Sequence, residues 1–363
     1  MLTDRYTQLR SPIGQWDLEN KRVFLRADLN VPTEDSIILD DFRLKALVPT
    51  LDCLLDKGAH VTIGTHRGRP SGYDEHSTTA PLAAWFANHG YTQRVTVLEN
   101  LRFSEDEQSN SIAYAKHLAR SIDFYVNDAF ASCHRSDTSL VTLPTLFDTE
   151  HRGIGLLVEK ELQMLGKLKQ RAEHPVLMIL GGNKAAEKLT FFPGLCTIAT
   201  DVLVCPCWTD LSQELTKIAG IKGVKLHLPI DYLVGLEGWD GTLVYKKPHD
   251  ITPTDTVISI GPQTAELWKP LIMQAKTVFV NGPMGDLAKP TTTHELRTVL
   301  QSVTQAHAYR VVGGGSTVAA LKFFNLLNQV DWCSTGGGAT LAYLANEPLP
   351  ALDALLAHQG VAR

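Results

Sequence analysis

Short apolar runs rich in β-branched residues alternate along this chain with stretches whose apolar positions recur every three or four residues. The runs are too short for helices and too continuous for half-exposed strands, so they read as strands of parallel sheets covered by helices on both faces. They fall at Val23–Val31, Val61–Gly64, Val95–Leu98, Phe124–Val126, Val176–Leu180, Val202–Cys205, Val224–Leu228, Val257–Ile260, Thr277–Val280 and Tyr309–Val312. Between the first two, Leu44, Leu47, Leu51, Leu54 and Leu55 give a helical apolar face, closed by Gly58 where a helix end favours a left-handed residue. Glu159–Arg171 reads as a helix joining two halves of an α/β protein, and Leu352, Leu355 and Leu356 beyond Pro348 and Pro350 read as a tail that packs back on the first half. The expected divisions are residues 1–158, a connecting helix over 159–173, residues 174–346, and a tail over 347–363.

Length supports two domains, because 363 residues exceed the size at which a single hydrophobic core keeps growing. A net charge of -5 excludes a protein that coats nucleic acid or an anionic membrane, since either needs a cationic excess. The stretch from Met1 to Trp16 is polar and mixed in charge, unlike a signal or transit peptide, and no apolar run is long enough to span a bilayer. A cytoplasmic location is the expectation. The six cysteines show no disulfide framework and read as reduced packing thiols; Cys205-Pro206-Cys207 resembles a ligand pair that nothing completes.

The chemistry is unevenly shared. Cations occupy short turns of the first half, at Arg43, Thr65-His66-Arg67-Gly68-Arg69-Pro70, Arg102 and Arg135. Glycines cluster in the second, at Gly181-Gly182, Gly313-Gly314-Gly315 and Gly336-Gly337-Gly338. Guanidinium forks grip phosphate or carboxylate, and glycine lets backbone N–H groups close on phosphate, so the pairing suits phosphoryl transfer. Nearly all these clusters follow an expected strand, where open α/β sheets keep their ligand crevice.

Asp28 and Asn30 share a parity at the end of the first expected strand, so both would point into that crevice. Arg43 could grip an anion or simply pair with Asp40 and Asp41. His66, Arg67 and Arg69 around Gly68 repel one another unless an anion holds them. Asn127 and Asp128 could brace a turn, leaving Arg102 and Arg135 as the binding candidates. Gly181-Gly182-Asn183-Lys184 opens a helix that also carries Lys188, one turn on, without the spacing of a Walker loop.

Taken in order, these strings resemble the phosphoglycerate kinase family across nearly the whole chain. The likeness rests on RADLNVP from Arg26, DDFR from Asp40, THRGRP from Thr65, LENLRF from Leu98, YVNDAF from Tyr125 followed by His134-Arg135, EKEL from Glu159, ILGGNK from Ile179 followed by Glu187-Lys188, IGPQT from Ile260, VNGPMG from Val280, VVGGGST from Val311 and STGGGAT from Ser334. It implies two doubly wound parallel-sheet domains on a hinge helix, closing to exchange phosphate between 3-phosphoglycerate and ATP or ADP with Mg2+, in a monomer. Residue by residue, it implies that Asp28, Asn30, Arg43, His66, Arg69, Arg102 and Arg135 bind the acid, with the 3-phosphoglycerate domain at residues 1–158 and the nucleotide domain at 174–346. Arg43, Lys184 and Gly337 match catalytic positions, and Lys184, Lys188, Gly261, Asn281, Pro283, Gly285, Gly313, Gly314, Gly315, Ser316 and Thr317 match the nucleotide side.

The second half departs from the family pattern. Ser316 stands where the family has a metal-holding aspartate, and a neutral hydroxyl makes a weaker magnesium ligand. Ala288 replaces a ribose-gripping glutamate, Ser259 an aspartate, and Cys205–Asp210 an adenine-side glycine loop. One expectation is therefore a working kinase with a rebuilt pocket, in which Trp208 stacks on the base and Asp286 supplies the missing carboxylate. The alternative is a catalytically impaired paralogue that binds 3-phosphoglycerate or a similar phosphorylated acid as a sensor or regulatory protein.

Overall fold

The computed structural model describes Tyr6, residues 9–182 and residues 185–357. The chain forms two compact units, Met1–Gln163 with Pro348–Arg363, and Met164–Glu347.

The first unit is built on a parallel sheet of β1 (Arg22–Ala27), β4 (His60–Gly64), β5 (Val95–Val97), β6 (Phe124–Asp128) and β7 (Arg152–Ile154), in the order β5-β4-β1-β6-β7. Alternation along β1 sends Val23 and Leu25 into one layer and Phe24 into another, so both faces of the sheet are covered. Leu44, Leu47, Leu51 and Leu54 of the helix Phe42–Asp56 fill the first layer, each burial stabilising by about 1.5–3 kcal/mol. Phe24 meets Tyr125, Leu143 and Phe147 on the other side. Gly58 follows the helix at φ +83, in the left-handed region. The hairpin β2 (Thr33–Glu34) and β3 (Ile37–Ile38) turns through Asp35 and Ser36, both at positive φ.

The first expected strand ends early. Pairing stops at Ala27 because the Leu29 N–H turns to the Thr65 hydroxyl at 3.0 Å, and Val31 N–H to Leu29 O at 2.9 Å. Asp28 and Asn30 thus stand on a loop, and strand parity does not aim them.

The second unit carries a parallel sheet of β8 (Val176–Leu180), β9 (Asp201–Val204), β10 (Lys225–His227), β14 (Thr277–Asn281), β15 (Tyr309–Gly313) and β16 (Trp332–Ser334), in the order β10-β9-β8-β14-β15-β16. The run Val257–Ile260 does not join it. As β13 (Thr256–Ile260) it pairs antiparallel with β11 (Tyr232–Gly235), which pairs antiparallel with β12 (Leu243–Lys246). An apolar run alone does not distinguish the two settings, and its partner β11 is only four residues long.

The helix Leu156–Arg171 carries the chain from the first unit into the second. Asp128, at the end of β6, caps its start by accepting from Val158 N–H at 3.0 Å. A Cβ on Gly155 would lie 2.2 Å from the Asp128 carboxyl carbon, so the approach needs glycine. After Glu347 the chain returns to the first unit as the helix Pro350–Leu356, where Tyr6 donates its hydroxyl to Asp353 at 2.7 Å and Ala351 N–H bonds Cys133 O at 3.2 Å. No described helix is long and apolar enough to cross a membrane.

Candidate active site

In the first unit, the loops after β1, β4 and β6 gather the polar groups. Arg43 reaches from the start of its helix to Asp28 Oδ1, while Asp41 pairs with Lys45 at 2.9 Å. Asp28 Oδ2 accepts from the Ser132 hydroxyl at 2.6 Å, and Asn30 Oδ1 accepts from Gly68 N–H at 2.9 Å, which fixes the β1 loop to the β4 loop.

The two arginines flanking Gly68 do not face one site. Arg67 is buried and donates to Thr33 Oγ1, to Thr78 O and, at 3.2 Å, to His76 O, so it braces the loop. Carbonyl oxygens and a hydroxyl replace the anion that the sequence seemed to require there. Arg69 points to solvent instead. Arg102 is buried, donating to Gly68 O at 3.2 Å and to Asp137 at 3.4 Å. Burial, then Arg102 and Arg69, pull the Arg135 guanidinium below its ordinary value, so these three cations share one neighbourhood. Among the described residues, neither Arg69 nor Arg135 has an acidic partner within ion-pair distance, which leaves a local cationic excess suited to a phosphate.

Beneath this cluster lies Arg26, fully buried, to which the sequence reading gave no separate role. Its Nε donates to Ser139 Oγ at 2.7 Å, one Nη lies 4.0 Å from buried Glu107, and Nη2 lies 3.5 Å from His66 Nδ1. A guanidinium only donates, so Nδ1 of His66 accepts and the ring proton sits on Nε2. Burial lowers His66 to about 3, against the opposing pull of Asp28 and with Arg26, Arg102 and Arg135 adding to the lowering. His66 is therefore a neutral donor at physiological pH. Burial would raise Asp28, but Arg43, His66, the Ser132 hydrogen bond and Arg26 together hold its carboxyl well below the usual range. Burial pushes Asp128 up to about 7. With Asp128 capping a helix and Asn127 accepting from Ala129 N–H at 3.0 Å, both residues brace turns.

In the second unit, β8, β14 and β15 end side by side, with Asn281 in register with Leu180 and Gly313. Gly181 N–H donates to Asn281 O and Gly182 N–H to Pro283 O, each at 2.9 Å. Gly282 sits at φ +96, and a Cβ there would lie 2.1 Å from Gly181 O, so no side chain fits. Thr317 is buried, its hydroxyl accepting from Gly282 N–H at 2.9 Å, which makes it a brace of this turn. Lys188 donates to Gly181 O at 3.0 Å and Asn281 Oδ1 at 3.2 Å. Lys184 lies outside the described residues. Gly314 N–H bonds Gly336 O at 2.9 Å, and a Cβ on Gly337 would lie 3.7 Å from Gly314 Cα, so the last two glycine turns stack where the helices Gly315–Phe323 and Gly338–Leu344 begin. Helix starts offer unpaired N–H donors to phosphate. Asn281 Nδ2, buried and without a partner among the described residues, would be 3.2 Å from a Cβ on Gly313 and 3.5 Å from one on Gly314.

Gly261 has another explanation. It precedes the helix Pro262–Gln274, which Asp231 caps through Gln263 and Thr264 N–H, and a Cβ on Gly261 would lie 2.3 Å from that carboxylate.

Pro283, Gly285 and Ser316 line a cleft of about 730 Å³, together with Gly182, Cys207, Asp210, Asp286 and Trp239. Trp208 does not face it as a stacking platform. It is 1% exposed, packs against Phe192, and directs its Nε1–H toward Gly181 O at 3.5 Å, because the Pro206–Leu211 turn folds its indole into the core. Cys207 stays on the wall, donating its thiol to Gly182 O. Asp286 Oδ1 accepts from Ala288 N–H at 2.9 Å, forming its own turn at the rim. Ser259 is fully buried and takes no part in the lining. Trp239 escaped the sequence reading, although a tryptophan between Gly238 and Asp240-Gly241, in a turn where large apolar residues are rare, was a usable signal.

The donors do not form a protein-held magnesium site. Ser316 offers one exposed, uncharged hydroxyl, and the described residues hold no group of three or more His, Cys, Asp or Glu able to bind a metal ion.

The family model for phosphoglycerate kinase matches residues 13–91, 86–208 and 206–347. The phosphoglycerate kinase of Dictyoglomus turgidum is 31% identical over 385 residues, covering 93% of this chain and 96% of that one. That of Rhodopirellula baltica is 32% identical over 396 residues, covering 95% and 99%. The crystal structure of phosphoglycerate kinase from Pyrococcus horikoshii superposes with a TM-score of 0.80 at 29% identity, over 94% of this chain and 97% of that one.

Proposed function

The chain belongs to the phosphoglycerate kinase family, and from that premise we propose that the cationic cluster of the first unit takes 3-phosphoglycerate and the glycine-lined cleft of the second takes the adenine nucleotide. The enzyme is a phosphotransferase of glycolysis and gluconeogenesis. It passes the acyl phosphate of 1,3-bisphosphoglycerate to ADP, giving 3-phosphoglycerate and ATP: the bond from phosphorus to the carboxyl oxygen breaks as one to the terminal phosphate oxygen of ADP forms. Little covalent help is needed, and the protein supplies in-line positioning and neutralisation of the moving charge.

In this reading Arg69, Arg102 and Arg135 hold the 3-phosphate, and His66 adds a neutral Nε2–H. Asp28 sets Arg43 for the transferring phosphoryl and, with Asn30, orients the glycerate. Lys184 and Gly337 take the other catalytic roles that the family likeness implies, the lysine as a second cation for the phosphoryl. Lys188, Asn281, Pro283, Gly285, Gly313, Gly314, Gly315, Ser316 and Thr317 build or line the phosphate end of the nucleotide site, with Gly261 supporting it from the neighbouring helix start. A magnesium ion would come with the nucleotide's phosphates and offset their charge, and the Ser316 hydroxyl is the donor this chain would offer it. The protein acts as a cytoplasmic monomer.

The observation that carries the acid site is the convergence of Arg69, Arg102 and Arg135 with no carboxylate for two of them. A charge-assisted contact contributes about 1.5–3 kcal/mol, so Arg135→Ala should weaken 3-phosphoglycerate binding about ten- to a hundredfold while leaving ADP binding unchanged. Separate calorimetric titrations of the two ligands check this, and an unchanged 3-phosphoglycerate affinity would move the acid elsewhere. Turnover of the native chain in a coupled assay separates the enzyme from a sensor; nothing observed favours the sensor.

A further inference from the structure

The first unit holds a second cationic cluster, at the other end of its sheet. There, at the amino ends of β1, β4 and β5, a groove of about 570 Å³ runs between the sheet and the helix Ile112–Leu118 with the turn that follows it. A strand rises about 3.3 Å per residue, so Arg22 at this groove stands ~13 Å along β1 from Arg26, which lies beneath the first cluster. Register sets Arg22 beside His60, and Thr62 beside Thr96, on the sheet face that carries Phe24. Around Phe24 that face packs on Tyr125, Leu98 and Leu118. At the amino end it turns polar, and β5 closes the sheet as its edge strand.

The groove carries charge of one sign. Arg22, Arg94, Arg120, His60 and His117 line it, and no described Asp or Glu does. Asp123 matches Arg22 through hydrogen bonds of 2.8 and 3.0 Å, whereas Arg94 and Arg120 have no acidic partner within ion-pair distance among the described residues. The hydroxyls of Thr62 and Thr96 bond no described residue, so the floor offers donors as well. The second unit supplies the contrast. Its cavity of about 590 Å³ at the amino ends of β14 and β15 has Glu173 and Asp331 among its cations, and Arg310 pairs with Asp331 at 2.9 Å. Unmatched guanidinium groups around a concave space of small-molecule size suit phosphate, which they grip through charge-assisted hydrogen bonds. We propose that the groove of the first unit binds a small phosphate compound of several negative charges, at a site separate from those of both substrates.

The test titrates the full-length protein with inorganic tripolyphosphate, without magnesium and with saturating 3-phosphoglycerate and ADP, and follows backbone amide spectra. Saturable shifts should appear at residues 60–62, 94–96 and 120–122. Arg94→Glu and Arg120→Glu, both exposed and outside the substrate sites, should each raise the Kd about ten- to a hundredfold, with turnover and 3-phosphoglycerate affinity as in the native chain. Arg297→Glu alters net charge equally from an exposed position on the helix His294–Gln305 of the second unit, and should leave the Kd within about twofold because salt screens distant charges. Inorganic phosphate, with fewer charges, should bind at least about tenfold more weakly than tripolyphosphate. The absence of saturable shifts at those amides in the native protein overturns the proposal, a result that needs no variant. Native affinity in both groove variants also overturns it, as does an equal loss in Arg297→Glu, which would mark a response to overall charge. Equal affinity for phosphate and tripolyphosphate overturns the requirement for several charges.

Discussion

At the scale of the residue, the site depends on which side chains are held by the fold and which are left for a ligand. Arg67 and Arg69 are two positions apart and read alike in sequence, yet the first is consumed by Thr33, His76 and Thr78 while the second faces water. The difference lies in carbonyls brought from elsewhere in the loop, which no local spacing records. Arg26 fixes the His66 tautomer in the same indirect way. Two outcomes follow from that contact. Nitrogen-15 spectra of the histidine ring should show a protonated Nε2 and a bare Nδ1, unchanged from about pH 8 to about pH 5. Because the folded value lies below the ordinary one, the unfolded chain takes up the proton first: His66 stabilises the fold above about pH 6.5, and that contribution is lost as pH falls below it. Chemical denaturation of His66→Gln beside the native protein at about pH 5 and about pH 8 should show a flatter pH dependence in the variant. A ring that titrates near 6.5 would contradict both.

Elements carry the site through their ends. Gly282 joins β14 to the glycine turns of the second unit at a point where the Gly181 backbone leaves no volume for a methyl group. Gly282→Ala should therefore cost about 2–4 kcal/mol in urea unfolding and lose most MgADP affinity, with 3-phosphoglycerate binding intact. Retained ADP affinity would mean that the two loops separate easily. Much of this level was legible in advance, since each of the ten apolar runs contains a strand and the glycine clusters follow β8 and β15. What was not legible has local causes. Strands β7, β11, β12 and β16 are three or four residues long, too short to show a period, and β13 is apolar enough to pass for a parallel strand. Gly261 stands in a family string, yet its need for a bare Cα comes from Asp231, thirty residues earlier and visible only once β11 and β13 pair. Trp208, expected in the cleft, is buried because the Pro206–Leu211 turn folds inward, and Trp239, to which no role was given, lines the cleft from the β11–β12 turn.

At the scale of the molecule, the first unit is discontinuous in sequence: Met1–Gln163 is completed by Pro348–Arg363, and the second unit is continuous. Tyr6, Cys133 and Arg152 all bond to the returning segment. Removing residues 348–363 should destabilise the first unit selectively, seen as faster hydrogen exchange in β1, β6 and β7 with β8, β14 and β15 still protected. Equal loss in both units would show that they unfold as one. The same arrangement sets an order of assembly on the ribosome. Translation delivers every residue of the second unit before the segment that closes the first, so the part begun first is finished last. A nascent chain stalled just after Glu347 has left the exit tunnel would hold a completed second unit and a first unit still lacking the helix Pro350–Leu356, so the first unit would become complete only once that helix had followed.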